Sequence, residues 1–127
     1  MPWNNKYTFH IGGVTDVGFD ESGEYLQVSS HSGRGLFSLQ TGDKIARDGD
    51  STYNWHHETY VDGIGPLQGS CIQVYGLWSE MTAETKNEIK AFDTSSHITE
   101  FKGAALSNDK SLLAIAYSDE VQVYTNI

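Results

Sequence analysis

Short runs of alternating apolar and polar residues recur along the chain, separated by turns rich in glycine, aspartate and serine. Such runs predict β-strands, because successive side chains of a strand point to opposite faces of a sheet. In the first third of the chain the pattern predicts strands over residues 7–11, 14–19, 25–29 and 36–39. Residues 20–23 have the composition of a tight turn between the second and third of these strands.

The pattern returns twice. Similar segments occupy residues 23–30, 69–76 and 110–117. The two outer copies align without a gap, and equivalent positions carry similar apolar residues: Phe19 and Leu106, Leu26 and Leu113, Val28 and Ile115, Leu36 and Val123, Phe37 and Tyr124. A repeat of roughly 40–45 residues made of short strands is typical of a β-propeller blade.

The middle copy is less regular. Residues 58–61 and 71–75 are predicted strands, and residues 88–92 are predicted to be its last strand. This copy is longer than the others, and the additional residues lie around positions 78–87. Ser79 is a suitable N-cap for one or two helical turns, and an extended hairpin fits the insertion equally well.

Residues 14–26 with 36–42, and residues 105–124, resemble blades of the WD-repeat family. The resemblance covers most of the chain and is weakest in the middle copy. The Trp-Asp pair of the family is replaced by Phe37-Ser38, Phe92-Asp93 and Tyr124-Thr125, and the chain has no Gly-His dipeptide. The chain is therefore similar to the wider class of WD-like propellers, which implies a scaffold that binds partners through rim loops.

The sequence thus predicts one all-β domain of three propeller-like antiparallel blades, over about residues 7–45, 53–94 and 97–127. A small antiparallel β-sandwich built from repeated hairpins is the alternative. Three blades leave two open faces, since closed propellers have about four to eight. The apolar faces ending at Phe9 and at Val121 and Val123 are therefore expected to be exposed.

A homodimer with closed two-fold symmetry would complete a six-bladed ring and cover those faces. Blades of another protein, or a cap formed by the insertion at residues 78–87, would serve the same purpose. Self-association is the expectation favoured here.

The composition narrows the classes of partner. With 17 acidic and 8 basic residues, the net charge is −9, which argues against nucleic acid or an anionic membrane and suits a basic protein partner. Simple solubility would explain the charge as well. The N-terminus does not resemble a signal peptide, and no apolar run approaches about 20 residues, so a cytoplasmic protein is expected.

The candidate partner-binding residues are aromatic residues and histidines, concentrated in residues 53–60: Tyr53, Trp55, His56, His57, Tyr60 and Trp78. Aromatic side chains are frequent anchors of protein interfaces. Adjacent histidines of a strand point to opposite faces and do not chelate one ion, so neither a metal site nor a cofactor is assigned. Cys71, the single cysteine, is interpreted as a core residue.

The leading hypothesis is a non-catalytic protein-binding module or scaffold, and in its concrete form an acidic immunity-type inhibitor of a basic toxin or enzyme. One alternative is a hydrolase or lyase that uses His56 or His57 with Glu58 or Asp62 at the mouth of a propeller. Another is a structural subunit that completes the propeller of a different protein. No nucleophile, phosphate-binding or dinucleotide motif occurs, and the remaining histidines are expected to be exposed beside turns: His10, His31 and His97.

Overall fold

The fold is mostly antiparallel β-structure. A computed structural model describes residues 3–47, 53–56, 60–63, 71–75 and 81–127. In these residues the strands are β1 (Asn4–His10), β2 (Val14–Asp20), β3 (Tyr25–Ser30), β4 (Gly33–Ser38), β5 (Lys44–Arg47), β6 (Tyr53–His56), β7 (Tyr60–Gly63), β8 (Cys71–Tyr75), β9 (Phe101–Leu106), β10 (Leu112–Tyr117) and β11 (Glu120–Thr125). One α-helix, α1 (Ala83–Ile89), and a 3₁₀ turn at Thr94–Ser96 lie between β8 and β9. The predicted all-β class is confirmed.

The strands form two sheets. The N-terminal sheet has the order β5-β4-β3-β2-β8-β7-β6, and the C-terminal sheet has the order β1-β11-β10-β9. Strands β2 to β5 are one continuous meander, as are β9 to β11. The fourth strand of the C-terminal sheet comes from the other end of the chain, since β1 pairs with β11 from Asn4–Thr125 to His10–Glu120.

The two sheets pack face to face and enclose most of the buried apolar side chains in the described residues. This inter-sheet core contains buried residues of both sheets: Phe9, Val14, Val17, Phe19, Leu26, Val28, Phe37, Leu39, Ala105, Leu112, Ala114, Ala116, Val121 and Val123. The rings of Phe9 and Phe37 lie 4.4 Å apart across it. The expectation that Phe9, Val121 and Val123 are exposed was therefore wrong, because the N-terminal sheet covers them.

The other face of the C-terminal sheet lies under the segment that contains α1. This outer cluster combines Trp3, Ala104, Leu113, Ile115 and Tyr117 with the partly buried Met81, Ile89, Phe92, Phe101, Leu106 and Tyr124. The Trp3 indole donates a hydrogen bond of 2.9 Å to Glu88 of the helix. The predicted strand at residues 88–92 was wrong, because Ile89 and Phe92 reach the same apolar face from a helix and the turn after it.

The helix begins at Ala83 and its N-cap is Thr82, whereas the predicted N-cap, Ser79, lies outside the described residues. The Thr82 hydroxyl accepts a hydrogen bond of 3.1 Å from the backbone N–H of Thr85, which is the usual N-cap arrangement. Of the two structures considered for the insertion, the helical one is present in its described part, residues 81–87.

The repeat in the sequence is visible in the turns. Gly23 and Lys110, which are equivalent in the gapless alignment of the outer copies, both have positive φ, at 76° and 64°. In the first turn the Asp20 carboxylate accepts a hydrogen bond of 2.9 Å from the N–H of Tyr25. In the second, the equivalent Ser107 hydroxyl accepts one of 3.0 Å from the N–H of Leu112. In both turns the backbone N–H five residues later donates the closing hydrogen bond, and the side chain that accepts it differs.

The first and third copies of the repeat pack against each other through non-equivalent faces. Leu26 and Val28 belong to the inter-sheet core, whereas their equivalents Leu113 and Ile115 belong to the outer cluster. One face of the first copy therefore packs against the opposite face of the third copy. The contact between the two copies is therefore heterologous, because it joins non-equivalent faces.

Within the residues that the structure describes, no helix has the length and apolar character needed to cross a lipid bilayer.

Candidate functional site

Four of the six predicted partner-binding residues belong to one hairpin at the end of the N-terminal sheet. Tyr53, Trp55 and His56 lie in β6 and Tyr60 lies in β7, and the backbone of His56 pairs with that of Tyr60. Trp55 pairs with Val61. His57 and Trp78 lie outside the described residues. The hairpin therefore brings the backbones of these aromatic residues together.

The residues proposed for the alternative enzyme belong partly to the same hairpin. Asp62 pairs with Asn54 on one side and with Cys71 on the other, while His56 pairs with Tyr60. Glu58 lies outside the described residues. These pairings fix the order of the backbone segments and assign no chemistry to them.

A pocket lies elsewhere, between α1 and the turn that follows β9. Its volume is about 290 Å³, which is near the lower limit of ligand-binding clefts. Apolar residues of three segments form its floor: Phe19, Met81, Ala104, Ala105 and Leu106. Among its polar lining residues, Asp20, Thr85 and Ser107 are buried, and the exposed ones form its rim: Thr82, Glu84, Asn108 and Lys110. An apolar floor with a polar rim suits the side chain of a partner protein.

The two equivalent turns hold one wall of this pocket in place. Asp20 is buried, and its carboxylate accepts hydrogen bonds from the Tyr25 N–H at 2.9 Å and from the Ser22 hydroxyl at 2.6 Å. Ser107 is also buried, and its hydroxyl donates a hydrogen bond of 2.9 Å to Asp109. Because these polar groups are bonded within their own turns, the wall is formed without a ligand.

Asp109, next to this wall, is an exposed carboxylate that accepts several hydrogen bonds within its turn. Hydrogen bonds from the Ser111 hydroxyl, the Ser111 N–H and the Ser107 hydroxyl favour its ionised form and lower the pKa of its carboxyl group. The turn therefore keeps a negative charge beside the pocket at neutral pH.

An ion pair crosses the mouth of the pocket. The Lys110 ammonium lies 2.9 Å from the Glu84 carboxylate, and both side chains are 61% exposed. An exposed pair of this kind contributes about 0–1 kcal/mol to stability. It can therefore open for an incoming group at little cost, which would leave Glu84 free to meet a cation.

The pattern of the sequence did not indicate the pocket residues as a group. The turn at 20–23 was predicted, and the alignment of the outer copies implies its equivalent at 107–110, but the approach of the two turns to α1 depends on how the helix packs over β9. The insertion at residues 78–87 did indicate an additional element, because the extra residues of the middle copy have to pack against another part of the chain. The apolar floor itself cannot be distinguished from ordinary core in the sequence.

Comparison with known protein families, with curated proteins and with solved structures found no match for this chain. Its function is therefore inferred from its own geometry.

Proposed function

We propose that this chain is a non-catalytic protein-binding module that anchors a side chain of its partner in the pocket between α1 and the turn at residues 107–110. The pocket carries this proposal, because its apolar floor and charged rim resemble the centre of a protein interface. The aromatic hairpin β6–β7 is a second contact region in the proposal. It supplies the residues Tyr53, Trp55, His56 and Tyr60.

A basic protein is the proposed partner. The net charge of −9 favours cationic partners and would raise their association rate at low ionic strength. The exposed Glu84 places a carboxylate at the pocket rim, where an arginine or lysine of the partner would meet it. In its most concrete form, the chain is an acidic immunity-type inhibitor that covers a basic toxin or enzyme in the cytoplasm.

The finer fold proposed is a set of WD-like propeller blades. Three observations support this proposal: the four-strand meander of β2 to β5, the second four-strand sheet that β1 completes, and the packing of the two through unlike faces. Consecutive blades of a propeller are related in the same head-to-tail way. The small sandwich remains the alternative, since it shares the two packed sheets.

Self-association stays a prediction, without the support that exposed faces at Phe9, Val121 and Val123 would have given it. Light scattering on a size-exclusion column measures it directly. A mass near twice that of the chain, which is 14.1 kDa, would support a dimer, and a mass near that of one chain would contradict it.

The binding proposal is tested by blocking the pocket. Asn108 is exposed at the rim, so Asn108→Trp places a large ring at the mouth without touching the floor. The matched control is Glu21→Trp, because Glu21 is exposed at the equivalent position of the other turn and does not line the pocket. Both variants and the wild type are immobilised and exposed to an extract of the protein's own cells.

We expect a basic protein to bind the wild type and Glu21→Trp and to dissociate as salt rises. Calorimetry with that purified protein should show an affinity at least about tenfold lower for Asn108→Trp, as expected for a contact worth about 1.4 kcal/mol. Equal affinities for all three chains would contradict the pocket as the anchor. Specific binding of a small molecule instead of a protein would contradict the module itself.

A further inference from the structure

A cluster of three metal-ligating side chains lies at one end of the C-terminal sheet, away from the pocket. His97 precedes β9, Asp119 lies in the turn between β10 and β11, and Glu120 is the first residue of β11. The His97 Nε2 atom is 3.3 Å from a Glu120 oxygen and 3.7 Å from an Asp119 oxygen. The three potential ligand atoms all lie within 4.8 Å of one another.

We propose that His97, Asp119 and Glu120 bind a divalent transition-metal ion of the Zn²⁺ type, a site that goes beyond the proposed protein-binding function. Zinc bound by histidine and carboxylates has metal–ligand distances of about 2.0–2.2 Å, so neighbouring ligand atoms of a tetrahedral site are about 3.4 Å apart. The two separations measured from His97 Nε2 bracket this value. The third separation, between the Asp119 and Glu120 oxygens, is within 4.8 Å.

The surroundings of His97 also fit a metal ligand. Its Nε2 atom is inaccessible to solvent and makes no hydrogen bond. A buried polar nitrogen without a hydrogen bond is costly, because it has left water without a replacement partner. The nearby carboxylates approach it at ion-pair distance without hydrogen-bond geometry. A cation between the three groups would satisfy all of them.

Each ligand is held in place by a second contact. The His97 ring stacks on Tyr117, with centroids 3.6 Å apart and an angle of 20° between planes. Asp119 accepts a hydrogen bond of 2.6 Å from Thr99, and Glu120 accepts one of 3.0 Å from Gln122. Contacts of this kind orient the ligands of metal sites.

Backbone hydrogen bonds on both sides hold the turn at residues 118–119, which carries the Asp119 carboxylate. The Ser118 N–H donates to the Glu100 carbonyl at 2.9 Å, and the Asp119 carbonyl accepts from the Ile11 N–H at 3.1 Å. The turn therefore joins the segment that carries His97 to the loop between β1 and β2. Three protein ligands leave the fourth tetrahedral position to water or to a group from outside.

The cluster belongs to the third copy of the repeat alone. In the gapless alignment of the outer copies, His97 is equivalent to His10, but Asp119 and Glu120 are equivalent to Ser32 and Gly33. The carboxylates are therefore a departure from the repeat and serve no shared purpose in closing the hairpin.

The test is titration of the purified, metal-free chain with Zn²⁺, followed by calorimetry, and with Co²⁺, followed by visible absorption. We expect one equivalent of metal per chain and the absorption of tetrahedral Co²⁺. Asp119→Asn, in an exposed turn, should bind at least about tenfold more weakly, and His97→Gln about 100-fold more weakly. Thr99→Val should lose about tenfold through its effect on Asp119.

His31→Gln is the control, since His31 is exposed in the turn after β3 and lies outside the cluster. It should bind Zn²⁺ as the wild type does, and circular dichroism establishes that each variant is folded. A wild type that binds no Zn²⁺ would overturn the proposal. So would stoichiometric binding that Asp119→Asn and His97→Gln both leave unchanged, because it would place the metal elsewhere.

Discussion

Gly23 and Lys110 show how one backbone conformation can be met by different residues. Both have positive φ in equivalent turns, and this region costs a residue with a side chain about 1–2 kcal/mol relative to glycine. The third copy accepts this cost at Lys110, whose ammonium pairs with Glu84 of α1. In the first copy the position has no such reason to carry a side chain.

Gly23→Ala should therefore lower the free energy of unfolding by about 1–2 kcal/mol. A Cβ at this position would meet only ordinary contacts at 3.9 Å, so the cost comes from the backbone conformation and not from a clash. Urea denaturation measures the change.

Gly12→Ala is the matched control for this prediction. A Cβ at Gly12 has no neighbour within 4 Å, and its φ lies outside the left-handed region, so the change should be within about 0.5 kcal/mol of zero or stabilising. Equal losses for the two variants would contradict the conformational explanation.

At the scale of single residues, the burial of His97 could not be predicted from the sequence. Its place beside a turn led to the expectation of an exposed side chain, which holds for His10 and His31. In His97 the side chain is 16% exposed, because it stacks on Tyr117 and meets the turn of a hairpin that comes later in the chain. Contacts between such distant segments leave no periodic signal.

At the scale of elements, alternation predicted the strands whose partners are close in sequence. Strands β2, β3 and β8 begin and end within one residue of the predicted bounds. The pattern left residues 78–87 open between helix and hairpin and predicted a strand over 88–92, where Ile89 and Ala91 alternate with polar residues. Ile89 and Phe92, three residues apart, also fit one face of a helix. Packing on Leu113 and Ile115 decides between these, and packing is not in the local pattern.

Strand β1 makes its main contribution through Phe9. This ring is buried between the sheets and contacts both Tyr7 and Phe37, at centroid distances of 5.5 Å and 4.4 Å. It therefore attaches a strand from the start of the chain to both halves of the core.

Phe9→Ala should lower the free energy of unfolding by about 3–5 kcal/mol, through lost burial and the cavity that it leaves. Ile98→Ala is the control, since Ile98 is 97% exposed, and its effect should stay within about 0.5 kcal/mol. A loss below about 1 kcal/mol for Phe9→Ala would mean that β1 does not close the core in solution.

At the scale of the whole molecule, two tyrosines of the outer cluster make the stability of the fold vary with pH in the alkaline range. Burial raises the pKa of the Tyr117 hydroxyl, and the negative charges of Glu120 and Asp93 add to the effect. Burial also raises the pKa of Tyr124, whose hydroxyl donates a hydrogen bond of 2.5 Å to Gln122. Both phenols are therefore held in their neutral forms by the folded chain.

A folded-state pKa above the unfolded value of about 10 makes the folded chain less stable as pH rises. The stabilisation is fully present below about pH 10 and is lost as pH rises through the raised pKa, because the unfolded chain releases these protons first. We expect the urea midpoint to fall between about pH 9 and pH 11.

Lysines also titrate in this range, so the comparison is with Tyr117→Phe and Tyr124→Phe. Each should reduce the slope of stability against pH above about pH 10, since a phenylalanine has no proton to lose. Slopes equal to that of the wild type in both variants would assign the dependence to other groups.

The pairing of β1 with β11 also sets an order of events during synthesis. His10 leaves the ribosome long before Glu120, its partner in the ladder. Each strand of the β2 to β5 meander can pair as soon as the next strand is translated. Strand β1 remains unpaired until β11, the last strand, is translated. Closure of this long loop is therefore expected to limit the folding rate, and a ribosome stalled before residue 120 would hold a chain whose first strand is unpaired and whose Phe9 is uncovered.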